Sequence, residues 1–224
     1  MALILNLETS TTNCSVSIGR DGECVALLER NEGYSHAEHL ALQVADLLKS
    51  EGIERSQLDA VCVGKGPGSF TGLRIGVSFA KGLSYGLQVP LLSIGTLDVL
   101  LEAGVQEGEF DLFIPTIDAR RKEVYCAVFD ADKRPLQAVE ALVVDDKSFA
   151  QYLDSKRVLL FGDNASKLEE ELGDKTEIRD IFPSAENMCS LAEKFFKHGL
   201  YEDKAYFEPY YFKDFRVGPA KKLL

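Results

Sequence analysis

Gly64-Lys65-Gly66-Pro67-Gly68-Ser69-Phe70-Thr71-Gly72-Leu73-Arg74-Ile75-Gly76 is the densest signal in the chain. An apolar run, Ala60 to Val63, leads into it, and a helical pattern from about Thr71 to Leu87 follows, so the stretch predicts strand, loop and helix in that order. A glycine-rich strand-to-helix turn presents free backbone amides, which suits either an anion or a tight structural turn. The spacing is not that of a Walker A loop, since no Gly-Lys-Ser/Thr closes it. Nor is it a dinucleotide fingerprint, whose third glycine would fall elsewhere.

The helix that follows departs from its own propensity. Gly72, Gly76, Gly82 and Gly86 lie within it or at its ends, and each interior glycine costs about 0.8–1 kcal/mol relative to alanine. Gly72, Gly76 and Ala80 fall at i, i+4 spacing, as do Ser78, Gly82 and Gly86. Two stripes without bulk let another backbone approach closely. One can serve a sheet beneath; the other is free for a neighbouring helix, from the same chain or from another.

Outward from this point, residues 2–8, 14–18 and 24–28 are short apolar runs with polar breaks, an antiparallel meander. Ser35 reads as a helix cap with Glu38 closing a capping box. Ala37, Leu40, Ala41, Val44 and Leu48 keep the helical period until Gly52. Pro90 separates the glycine-striped helix from a strand at Leu91 to Ile94. The order β-β-β-α-β-α-β is that of a mixed sheet with helices packed on it. Beyond the Glu102–Glu109 stretch a second unit has strands near Leu112–Asp118 and Val124–Phe129, weaker alternation through Val144, a strand at Val158–Phe161, and helices near Ala165–Leu172 and Ser184–Phe196. The expected division is 1–107 and 108–224, with the final tail packing back on the first lobe. That tail holds Lys213, Arg216, Lys221 and Lys222 against Asp214, an exposed end or a contact for an acidic or phosphate surface.

At 224 residues and 46% hydrophobic, the chain can bury roughly 70–75% of its unfolded surface and needs no staple to fold. Twenty-five Lys and Arg against 36 Asp and Glu give a net charge of −11, which disfavours autonomous binding to nucleic acid or anionic membrane. The longest apolar runs are too short to span a bilayer, which takes about 18 residues. Glu8 interrupts the position where a signal peptide stays apolar, so a cytoplasmic chain with no membrane contact is expected. Five well-separated cysteines read as reduced core thiols.

Few residues suggest chemistry. His36 and His39 are three apart and could share a metal, but no third ligand carries its own signature, so no metal site is expected. There is no Gly-x-Ser-x-Gly elbow and no activated Cys or Ser, and no catalytic residue is assigned. Glu8-Thr9-Ser10-Thr11 at a strand end and Asp118-Ala119-Arg120-Arg121-Lys122-Glu123 at a strand–turn–strand would face each other across a cleft. They could surround a nucleotide together with Gly66, Gly68 and Ser69, or simply cap strands.

These blocks, with Leu3 to Ser10, Gly95-Thr96-Leu97 and the closing Glu208-Pro209-Tyr210-Tyr211-Phe212-Lys213, resemble the TsaB (YeaZ) family of the ASKHA superfamily. The match is close over residues 1 to about 130. The resemblance implies an α/β, two-lobed, actin-like and ribonuclease-H-like fold. It also implies a non-catalytic partner of a TsaD-type threonylcarbamoyltransferase, required to make N6-threonylcarbamoyladenosine next to the anticodon of tRNAs that read codons beginning with A. A TsaE-type ATPase belongs to the same system, self-association as a homodimer is an expected companion, and tRNA would be met mainly through partners. Partner contacts are expected on the two helices at His36, His39, Leu40, Gln43, Leu47, Gly72, Ile75, Gly76, Phe79 and Ala80. The cleft of Glu8, Thr9, Ser10, Thr11, Gly66, Gly68, Ser69 and Asp118 would be vestigial: ATP or ADP is expected only at a complex interface and no cofactor on this chain alone. Two departures are Glu8 where Asp is usual and Phe212-Lys213 for Leu-Arg, and TsaD-type chains have His-x-x-x-His where this one has His36-Ala37-Glu38-His39. A nucleotide-dependent phosphotransferase or a metallopeptidase of the same superfamily is the alternative.

Overall fold

The computed structural model describes residues 2–33, 35–153 and 156–212. The basic tail residues Lys213, Arg216, Lys221 and Lys222 lie outside the described residues. The chain forms β1 (Leu3–Glu8), β2 (Cys14–Arg20), β3 (Glu23–Arg30), α1 (His36–Ser50), β4 (Ala60–Gly66), α2 (Phe70–Leu87), β5 (Leu91–Gly95) and α3 (Thr96–Gly104). It continues with β6 (Leu112–Asp118), β7 (Glu123–Asp130), β8 (Pro135–Val143), α4 (Ala150–Leu153), β9 (Val158–Gly162), α5 (Glu169–Leu172), β10 (Glu177–Asp180) and α6 (Cys189–Lys197).

Two five-stranded sheets result, ordered β3-β2-β1-β4-β5 and β8-β7-β6-β9-β10. Within each, the first three strands pair antiparallel and the last two join parallel. The same topology is therefore laid down twice, giving the two-lobed α/β architecture.

Side-chain alternation divides the first sheet between two layers. Leu5, Leu7, Val61 and Val63 face α1 and α2, where Leu40, Val44, Leu47, Val77 and Ala80 complete a core. Ile4, Ala60, Cys62 and Leu92 face the other way, against Val99 of α3 and Met188 and Ala192 at α6. Residues beyond Ser184 thus return to the first sheet. Helix α3 also serves the second sheet, since Leu97, Leu100 and Leu101 pack with Phe113, Ile117 and Phe161. At its end a Cβ on Gly104 would stand under 3.0 Å from the Phe161 ring.

Several elements differ from expectation for identifiable reasons. Ser35 precedes α1, but its side chain makes no cap hydrogen bond, so the Ser35–Glu38 capping box does not form. The end of α1 is secured instead by tertiary contact: buried His36 binds the Thr11 carbonyl through Nε2 at 2.7 Å. The regions near 165–172 and 184–196 each begin as a 3-10 turn before the helix proper. Strand β10 and helix α3 were not anticipated by the sequence.

Candidate partner face and inter-lobe cleft

The cleft begins where β1 ends. Glu8 is fully buried, and its Oε1 accepts from the Ser10 amide at 2.7 Å while Oε2 has no hydrogen-bond partner among the described residues. Burial pushes its carboxyl above the ordinary value, against the smaller opposing pull of hydrogen bonds from Ser10 and Thr9. A Cβ on Gly64 would fall under 3.0 Å from that carboxyl, so the first glycine of the block makes room for Glu8.

The turn after Glu8 is bound directly to the glycine loop. The Ser69 amide donates to the Ser10 carbonyl at 2.6 Å, and the Gly72 amide donates to Ser69 Oγ at 3.3 Å. Thr9 Oγ1 donates to the Gly72 carbonyl at 2.9 Å. Two of the amides that sequence alone leaves open to an anion, those of Ser69 and Gly72, are thus engaged within the chain. Gly66 adopts φ +105, where only glycine sits comfortably, and a Cβ there would meet Leu73 and the Tyr210 carbonyl at 2.9 Å.

On the second sheet, Asp118 pairs with Lys167, and its carboxylate also accepts from the Arg120 amide at 2.7 Å. Its own amide donates to Asp163 Oδ1 at 2.8 Å. Asp163 is pushed up to about 7, chiefly by burial. Glu8, Thr9, Ser10, Gly66, Gly68 and Ser69 come together, as does Thr11 through His36; Asp118 is occupied by its own lobe. Among the described residues no three His, Cys, Asp or Glu cluster in a way that could hold a metal.

The expected partner residues divide sharply. Leu40 and Leu47 are core residues, and Gln43 binds Cys14 through both its amide atoms, at 3.2 and 3.3 Å. Gly72, Gly76 and Ala80 are buried as well. A Cβ on Gly72 would overlap the Thr9 carbonyl and one on Gly76 would overlap Thr9 Oγ1, each under 3.0 Å. That glycine stripe is therefore used within the monomer by the turn after β1, and these residues, with His36, do not present an outer surface. Ile75 and Phe79 are half-buried against the same core, and His39 is half-buried.

The other stripe is open. A Cβ on Gly82 or Gly86 would meet nothing within 4 Å. Ser78, Gly82 and Gly86 on α2 are exposed, and so are Ala37, Ala41 and Ala45 on α1, flanked by Leu42 at 60% and Tyr85 at 71% exposure. The Ala37-Ala41-Ala45 spacing is the signal that sequence reading passed over.

A family model described as TsaD: tRNA N6-adenosine threonylcarbamoyltransferase matches residues 33–159. The tRNA threonylcarbamoyladenosine biosynthesis protein TsaB of Escherichia coli is 28% identical over 221 residues, 94% of this chain and 94% of its own length. YeaZ from Pseudomonas aeruginosa superposes with a TM-score of 0.83 at 28% identity, covering 94% of this chain and 100% of that one. The chain belongs to the TsaD-like family, in its TsaB (YeaZ) branch.

The TsaB-type fold extends to more distant structures. The activator of the 2-hydroxyisocaproyl-CoA dehydratase from Clostridium difficile, solved with ADPNP, has a TM-score of 0.50 at 13% identity over 89% of this chain and 96% of its own, a likeness of the actin-like ASKHA fold alone. In this TsaB-type chain the glycine block is thus a joint between the first turn and α2, and the open side of α1 and α2 has no internal role among the described residues.

Proposed function

We propose that this chain is the non-catalytic partner of a TsaD-type subunit, engaged through the exposed side of α1 and α2 during N6-threonylcarbamoyladenosine formation next to the anticodon of tRNAs that read codons beginning with A. The observation that carries the reading is the set of low-bulk, solvent-facing residues Ser78, Gly82 and Gly86 on α2 and Ala41 and Ala45 on α1, two helices that pack on one core and also expose Leu42 and Tyr85. Small residues on two adjacent helices admit close packing of foreign helices, and the exposed Leu and Tyr supply apolar anchors. The same strip fits a second copy of this chain, so homodimer and heterodimer would compete for it.

A supporting role agrees with the cleft. The turn after β1 commits the Ser10 carbonyl to Ser69 and the Thr9 hydroxyl to Gly72, and burial disfavours the charged form of Glu8 that a metal site would use. Catalysis is assigned to the TsaD-type subunit, ATP hydrolysis to a TsaE-type one, and any ATP or ADP to the interface of the assembly. The setting proposed is the cytoplasm, and no helix of the described residues is long and apolar enough to cross a membrane.

The test is reconstitution of the modification with and without this chain, alongside Gly82→Leu in size-exclusion chromatography with light scattering. Gly82→Leu is expected to leave the circular dichroism of the monomer intact and to abolish the complex. An unchanged complex, or modification by the other subunits at full rate without this chain, refutes the proposal.

A further inference from the structure

The β6–β7 hairpin turns through Arg120 and Arg121, with φ of +76 and +60. Two successive left-handed residues are usually Asn or Gly, because a side chain makes that conformation unfavourable. Here both carry long cations. The turn is braced from below: the Arg120 amide donates to Asp118 Oδ1 at 2.7 Å, the Glu123 amide to the Arg120 carbonyl at 3.3 Å, and the Ala119 amide to the Glu123 carbonyl at 3.0 Å. Nearby charges are already matched, Asp118 with Lys167 and Lys122 with Glu171. Neither guanidinium of Arg120 and Arg121 has a partner among the described residues, and both residues are exposed.

A run of aromatic rings leads from a third arginine to the strand below this turn. Arg74, exposed on α2, lies over the Phe70 ring at 4.0 Å and donates through Nε to Tyr211 Oη at 3.0 Å. Those contacts fix the plane of the guanidinium and leave its two terminal nitrogens to other acceptors. Phe70 and Tyr211 are 4.8 Å apart between centroids, Phe212 and Tyr210 5.9 Å, and Phe212 and Tyr125 5.6 Å. Tyr125 pairs with Ile117, one rung below the Asp118–Val124 pair that opens the hairpin. The segment bearing these rings is anchored on the first lobe by the Tyr210 amide on the Lys65 carbonyl at 2.7 Å and by Lys81 on the Phe207 carbonyl at 2.8 Å.

We propose that Arg74, Arg120 and Arg121, with the Tyr210, Tyr211 and Phe212 rings that lie between Arg74 and the β6–β7 hairpin strand, form an RNA-contacting surface. The inference rests on the reading that this chain works in a tRNA-modifying assembly. On a chain of net charge −11, three arginines without an acidic partner among the described residues, with aromatic side chains between them, are a local exception to the overall repulsion of phosphate. Guanidiniums fit phosphate oxygens bidentately, and half-exposed rings offer stacking platforms to unpaired bases. An acidic protein surface would use the arginines but has no need of the rings.

The test uses fluorescence anisotropy with a labelled anticodon stem–loop RNA, on the chain with its TsaD-type partner and on the chain alone. The variants are the double Arg120→Glu, Arg121→Glu and the single Arg74→Gln, with circular dichroism and light scattering as checks of fold and assembly. The double variant is expected to bind RNA about tenfold more weakly with assembly unchanged. Its slope of log affinity against log salt should fall by about 1.4, near 0.7 per lost phosphate contact on a single strand. RNA affinity that does not move while the complex stays intact overturns the proposal. So does loss of the protein complex with RNA binding by the separate chain unaffected, which would mark the strip as a protein contact. A wild-type chain that forms no complex but binds RNA through these arginines defeats the partner reading and sustains this one; no RNA binding in either preparation defeats this one.

Discussion

Thr9 and Gly76 meet so closely that a single methyl group has no room between them: a Cβ on Gly76 would overlap Thr9 Oγ1. Six residues along the same helix, the Gly82 position is open to solvent. The two glycines carry opposite predictions. Gly76→Ala is expected to destabilise the chain by about 1–3 kcal/mol, as overpacking does. Gly82→Ala is expected to stabilise it by up to about 1 kcal/mol through helix propensity. Urea unfolding of both variants checks the pair, and equal shifts would contradict the assignment of the two stripes.

Gly104 and Phe161 give a second steric test. A Cβ on Gly104 would press into the Phe161 ring, so Gly104→Ala should cost about 1–3 kcal/mol. Pairing it with Phe161→Leu should recover part of that loss, and a double-mutant cycle reads the coupling. Strict additivity would show that the ring yields freely.

Asp163 predicts a pH dependence. Its folded value of about 7 lies above the ordinary one, so the folded state holds the proton more tightly than the unfolded chain, where aspartate titrates near 3.9. The stabilising contribution is full below about pH 3.9 and is lost as pH rises through about 7. Asp163→Asn keeps an acceptor for the Asp118 amide without the titration. The stability of the variant relative to the parent should therefore climb between pH 4 and 7, with a limiting slope of about 1.36 kcal/mol per pH unit. Urea midpoints at several pH values measure it, and a flat difference would refute it.

The thiols offer a count. Burial pushes Cys14 up to about 11 and Cys126 and Cys189 up to about 12, and raises Cys62 well above its ordinary value. Cys24 is only half-buried. With a thiol-disulfide reagent at pH 8, one group per native chain should react ahead of the rest, and all five cysteines should react in urea. Cys24→Ser should remove the early phase.

The first two helices were legible because their apolar periods face one core with small or polar residues opposite, and the meander because its short apolar runs are broken by polar turns. Helix α3 was not. Thr96, Leu97, Val99, Leu100, Leu101 and Gly104 are all buried, so the helix has little polar face and its sequence shows no clean period. The duplicated strand order was equally hidden. Leu5, Leu7, Val61 and Val63 in one sheet and Leu112, Ile114, Val158 and Leu160 in the other fill comparable places, but burial constrains volume and apolarity rather than identity, and no letter-by-letter repeat survives. Several of the residues expected to meet a partner lie on the inner sides of the two helices. Leu40, Leu47 and Gly76 are conspicuous residues that serve the monomer, whereas Ala41, Ala45 and Leu42 stand outside. A small side chain looks the same in a sequence whether it accommodates the chain's own turn or nothing at all.

Helix α3 has the further effect of making the halves inseparable. Val99 belongs to the core of one sheet, while Leu97, Leu100 and Leu101 belong to that of the other. A cut between residues 104 and 112 would leave α3 on the first piece with Leu97, Leu100 and Leu101 uncovered and the second sheet without them, and both pieces would expose a greasy seam. Split reporters and half-length expression clones of this molecule should accordingly be divided elsewhere.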